Sequence, residues 1–69
     1  MKSIWIARDK ETGELWGFID KPPIKGENAF EPYDYDYDSV FDIKDELFPE
    51  ITWENSPVEF IENTKEEQQ

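Results

Sequence analysis

A mainly β fold is predicted: a small antiparallel sheet of three or four strands, with one short helical turn and a long acidic loop. Two observations carry it. Apolar runs at Ile4–Ala7 and Leu15–Ile19 flank Lys10-Glu11-Thr12-Gly13, a turn whose glycine suits a left-handed position. Further on, Phe41 and Ile43 alternate with Asp42 and Lys44, and Pro49 cuts short any helix there.

Ser3–Asp9 is the first strand. Ile4 and Ile6 share one face, and Trp5 and Ala7 share the other. Leu15–Asp20 returns, with Trp16 and Phe18 opposite Leu15, Gly17 and Ile19. Gly17 leaves room for an aromatic ring above it. Apolar residues on both faces predict a sheet covered on one side and partly aromatic on the other. Pro22-Pro23 ends the strand, because proline cannot donate to a ladder. Ile24–Pro32 reads as a loop, with Gly26 and Asn28 as turn residues and Phe30 as an anchor. The whole connection from Lys21 to Asp38 is long, and loops of that length tend to be functional or disordered.

Ser39–Ile43 fits a strand by alternation, while Val40, Ile43 and Leu47 fit a helical face. Its β-branched and aromatic content favours the strand. Asp45–Glu50 is then a single helical turn capped by Asp45, with Leu47 and Phe48 pointing inward. Ile51-Thr52-Trp53 crosses the sheet, Asn55-Ser56-Pro57 turns, and Val58–Glu62 is the last strand. Residues 1–63 form one domain with an acidic loop at about 24–38, and 64–69 form a frayed polar tail.

A chain of 69 residues buries only about 60% of its unfolded surface, so stability is marginal. Large aromatic side chains are how it builds a core, and Trp5, Trp16, Leu47, Phe48 and Trp53 are assigned to that task. No cysteine is present, so no disulfide or thiolate metal site is available. The apolar run in Met1–Arg8 is too short for a signal peptide and no stretch is long enough to span a membrane, so a cytoplasmic location is expected. Net charge is −11, and unevenly placed. Residues 1–25 carry five bases and four acids; residues 26–69 carry fourteen acids against Lys44 and Lys65. That balance disfavours nucleic acid and membranes as direct ligands and favours a basic protein surface.

At the centre lies Glu31-Pro32-Tyr33-Asp34-Tyr35-Asp36-Tyr37-Asp38. If extended, it sets three tyrosines on one side and three aspartates on the other. Same-face carboxylates would then stand about 6.5–7 Å apart, comparable to neighbouring phosphates along a nucleic-acid strand. Glu31, Asp34, Asp36, Asp38, Asp42 and Asp45 are the candidate charges, with Tyr33, Tyr35 and Tyr37 as anchors.

Ile4-Trp5-Ile6-Ala7-Arg8-Asp9, and Leu47-Phe48-Pro49-Glu50-Ile51-Thr52-Trp53-Glu54-Asn55-Ser56-Pro57, resemble a group of short uncharacterised proteins of bacteria and their phages. The likeness covers the first hairpin and the segment from about Phe41 to Glu59. It implies a small, mostly β domain and carries over no functional residues. The Tyr-Asp repeat departs from the pattern.

Catalysis is not expected. There is no histidine or cysteine, which removes the usual general base and the strongest nucleophile, and no Gly-rich phosphate loop is present. No cofactor is expected. Asp34, Asp36, Asp38, Asp42 and Asp45 fall at positions 1, 3, 5, 9 and 12 of a calcium loop, but Ser39 stands where the sharp turn needs glycine. The expectation is a non-enzymatic, phage-type inhibitor that blocks the basic, nucleic-acid-binding surface of a host defence protein by polyanion mimicry. The alternatives are an adaptor that binds through a sheet edge and exposed aromatics, with a homodimer through that edge left open, and a weak calcium-binding loop.

Overall fold

The computed structural model describes residues 3–61. Six strands form: β1 (Ser3–Arg8), β2 (Leu15–Ile19), β3 (Ile24–Lys25), β4 (Phe30–Glu31), β5 (Val40–Ile43) and β6 (Val58–Ile61). Four make an antiparallel sheet in the order β5-β2-β1-β6, and β3 and β4 pair as a separate two-stranded ladder. Among the described residues, no helix is long and apolar enough to cross a membrane.

The expected hairpin is present, with Ile6 opposite Gly17 and Ala7 opposite Trp16. Gly13 closes it at φ +75°, a conformation that favours glycine. Register then sorts the side chains. One face carries Ile4, Ile6 and Arg8 from β1, Leu15, Gly17 and Ile19 from β2, Phe41 and Ile43 from β5, and Val58 and Phe60 from β6. No carboxylate stands among these strand residues. The other face carries Trp5, Ala7, Trp16, Phe18 and Val40, together with Asp42 and Glu59.

Each face has its own apolar cluster. Ile6, Leu15 and Ile51 form one, with Ile43, Phe48 and Val58 against it. Ala7, Phe18 and Phe30 form the other, flanked by Trp5, Trp16, Val40 and Trp53. The aromatic content of this face is as expected, but the face is also covered, by Phe30 and by Trp53, whose rings are tilted 58° at 5.2 Å between centroids.

Three expectations are corrected. The segment 24–32 is not a plain loop, since Ile24 pairs with Glu31 and Lys25 with Phe30. Asp45–Glu50 forms no helical turn; it is two tight turns, with the Leu47 amide donating to the Lys44 carbonyl and the Ile51 amide to that of Phe48. The one 3-10 turn among the described residues lies at Tyr37–Ser39 instead. Leu47 points outward and is 57% exposed, while Phe48 and Ile51 take the inward positions. Phe48 packs on one face of the sheet and Trp53 on the other. Of the expected last strand, Glu62 lies outside the described residues, as do Asn63 and the tail.

Arg8 explains the shape of that segment. Its Nε donates to the Ile51 carbonyl at 2.6 Å and its Nη1 to that of Gly13 at 2.7 Å. Its Nη2 reaches the carbonyls of Phe48 at 2.9 Å and Asp45 at 3.1 Å. One guanidinium thus fixes three carbonyls of the 45–51 segment and one of the hairpin turn. The backbone amide of Arg8 donates to Ser56 Oγ, whose hydroxyl in turn donates to the Thr52 carbonyl.

The Phe41 ring lies over Gly17, as the missing side chain allows, and any Cβ there would overlap it. Gly17→Ala should force the ring aside and cost about 1–2 kcal/mol, read as a lower urea midpoint. An unchanged midpoint would mean that the exposed Phe41 ring swings away freely.

Candidate functional site: the acidic loop

Pro32 is buried and starts the loop, and the Tyr35 amide donates back to its carbonyl at 3.1 Å. Tyr35 takes φ +58°, which breaks any extended path. Asp36 then caps the 3-10 turn. Its Oδ1 accepts from the Asp38 amide at 3.2 Å, and its carbonyl accepts from the Ser39 hydroxyl at 3.0 Å. The Tyr-Asp repeat is therefore a corner and a turn, not a strand. The regular carboxylate row at strand spacing does not form.

The tyrosines face water: Tyr33 is 53% exposed, Tyr35 66% and Tyr37 63%. Asp34, Asp36 and Asp38 are exposed beside them. Lys21 Nζ meets Asp34 Oδ2 at 2.7 Å and sits 5.6 Å from the Tyr33 ring centroid. The hydrogen bond to Asp34, and then its charge, hold the Lys21 ammonium above the ordinary lysine pKa. This is the single ion pair among the described residues. Asp36, Asp38 and Asp42 have no cationic partner there.

The nine candidates are not one cluster. Tyr33, Asp34 and Asp36 border a recess with Lys21 and Asp20. Tyr37 lines a separate, more apolar cavity. Glu31 ends β4, exposed and opposite Ile24. Asp42 and Asp45 stand at the far end of β5 with Glu14, Lys44 and Glu46. Asp45 is partly structural, since its Oδ1 lies 3.4 Å from the Leu15 amide and its carbonyl is held by Arg8. The calcium-loop spacing does not become a cage: among the described residues, no three carboxylates are placed to hold a metal ion.

Two residues of this surface escaped sequence reasoning. Lys21 carries no local signal, because its pairing with Asp34 is made by the corner at Tyr33–Tyr35. Asp9 was legible. Alternation from Ala7, which pairs with Trp16, places Asp9 on the same face. Its Oδ2 accepts from Trp16 Nε1 at 3.2 Å and its Oδ1 from the Phe30 amide at 3.1 Å. Asp9 thereby ties the hairpin to the start of the acidic loop.

Comparison with known proteins finds no matching family model, no matching curated protein and no matching solved structure.

Proposed function

We propose that the chain is a non-enzymatic binding protein whose acidic loop occupies a basic surface of a larger protein. The observation that carries this is the exposure of Tyr33, Tyr35 and Tyr37 among exposed Asp34, Asp36 and Asp38. Asp34 is paired with Lys21, but Asp36 and Asp38 have no cation among the described residues. An exposed ring beside such an acid is well suited to a guanidinium, which can stack on the ring and hydrogen-bond to the carboxylate. The anionic surface would steer such a partner in quickly and release it as salt rises. A surface of that sign competes with nucleic acid for the same groove, through clustered charge and not through a phosphate-like ladder. The same chemistry would suit a phage-type inhibitor of a host defence protein that binds nucleic acid.

Asp34, Asp36 and Asp38 changed together to Asn should abolish capture of a salt-releasable partner from bacterial lysate, with binding weakened at least about tenfold. The fold should survive. Asparagine caps as well as aspartate, and the exposed Lys21–Asp34 pair contributes about 0–1 kcal/mol. Far-UV spectra check that. Equal capture by the variant would end the proposal.

A second reading has its own observation. On the sheet face without strand carboxylates, Ile4, Phe41 and Phe60 are 36%, 37% and 41% exposed. An adaptor using that face would hold its partner through buried rings. Capture would then persist at high salt and in the triple variant.

A further inference from the structure

We infer that the cavity beside Tyr37 receives an arginine side chain of the partner. It deepens the reading just given and rests on it, because Tyr37, one of the exposed rings of the acidic loop, also lines this pocket. Trp16, Phe30, Pro32, Tyr37 and Val40 wall it, and Asp9 lines it as well. Its volume is about 230 Å³. Sites for drug-sized ligands run roughly 300–1,000 Å³, so this one suits a single side chain.

The chemistry selects a cation. Asp9 is a half-buried carboxylate whose two hydrogen bonds come from neutral donors, Trp16 Nε1 and the Phe30 amide. An acidic side chain has about four acceptor positions, so two are open. No cation reaches Asp9 among the described residues. Lys21 is taken by Asp34, and Lys25 donates to the Trp53 carbonyl at 3.0 Å. Arg8 is spent on carbonyls at the opposite face. An aromatic wall with an acid held in it is the arrangement that binds cations through ring faces.

The chain already does this with its own lysines. Lys25 Nζ lies 4.4 Å from the Trp53 centroid and 5.8 Å from that of Phe30, and Lys21 serves Tyr33 in the same way. Tyr37 and Trp16 have no such internal cation among the described residues. Arginine fits better than lysine. Its planar head stacks on rings, sheds water more readily, and can bond to a carboxylate in the same plane.

The probe is the peptide acetyl-Gly-Gly-Arg-Gly-Gly-amide, titrated into the full ¹⁵N-labelled chain. Its control carries citrulline, which is neutral and nearly the same shape. The Trp16 indole N–H resonance should move saturably with arginine and stay still with citrulline. Tyr37→Ala removes an exposed ring and should weaken the arginine peptide by about 2- to 5-fold, with the Trp5 and Trp53 indoles unshifted as a check on folding. A still Trp16 indole, an equal response to citrulline, or an unchanged affinity in Tyr37→Ala overturns the pocket. In those cases the amides of Asp34, Asp36 and Asp38 decide the wider reading. If they move with the arginine peptide, the acidic surface still binds cations; if they too are silent, both fall.

Discussion

Arg8→Met is expected to destabilise the protein by about 3–4 kcal/mol, the largest loss from any single polar residue. Hydrogen bonds to a charged group contribute about 1.5–3 kcal/mol each, and Arg8 makes four. They do not add, because they share one guanidinium, and the carbonyl of Asp45 can turn to water. A folded chain of this length has roughly 3–10 kcal/mol in total. The variant should therefore lose at least about a third of its stability, visible in urea titration as a clearly lower midpoint. Arg8→Lys separates charge from shape. An ammonium has three donors and no fork, so it should recover only part of the loss. A drop below about 1 kcal/mol in Arg8→Met would mean that water satisfies these carbonyls equally well.

Leu15→Ala should cost about 3 kcal/mol, and Leu47→Ala less than about 0.5 kcal/mol. Both are leucines of one small domain, and composition does not separate them. Leu15 has no exposed surface and faces Ile6 and Ile51, so truncation leaves a cavity with no side chain free to fill it. Leu47 stands in water. Parallel urea curves decide it. Equal losses would show that Leu47 does pack inward and that the 45–51 segment lies otherwise.

That contrast marks what could be inferred from residues alone. The hairpin was legible because two apolar runs and one glycine between them decide it locally. Strand β5 was partly legible, since alternation, β-branched and aromatic content and a following proline favoured the strand over the helical face that Val40, Ile43 and Leu47 also fit. The outward turn of Leu47 was not. It follows from Arg8, about forty residues away in sequence, pinning the Asp45 and Phe48 carbonyls. The short β3–β4 ladder was equally hidden, because Asp9 holds the Phe30 amide from outside the segment.

The Tyr-Asp repeat misled in a more instructive way. Its alternation is that of a strand, yet no neighbouring strand offers partners for its backbone. Like charges along one side would also repel. Local bonds from the Asp36 side chain to the backbone win instead, as short acidic side chains do when a ladder is missing. An aspartate three residues before Ser39 was the available sign, masked by the stronger rhythm around it. The candidate site was thus legible in its composition and charge, but not in its grouping. Tyr37 parted from Tyr33 because the chain bends between them.

The strand order has a consequence for assembly. Both inner strands come from the nearly neutral beginning of the chain, and both outer ones from the anionic remainder. A centre made of sequence neighbours closes only a short loop and gathers almost no charge. Each border is held against electrostatic cost, so dissolved ions should bear on the edges of the sheet more than on its centre. Once in place, Asp42 and Glu59 stand on the two open ladders, where they discourage one molecule from extending the sheet of another.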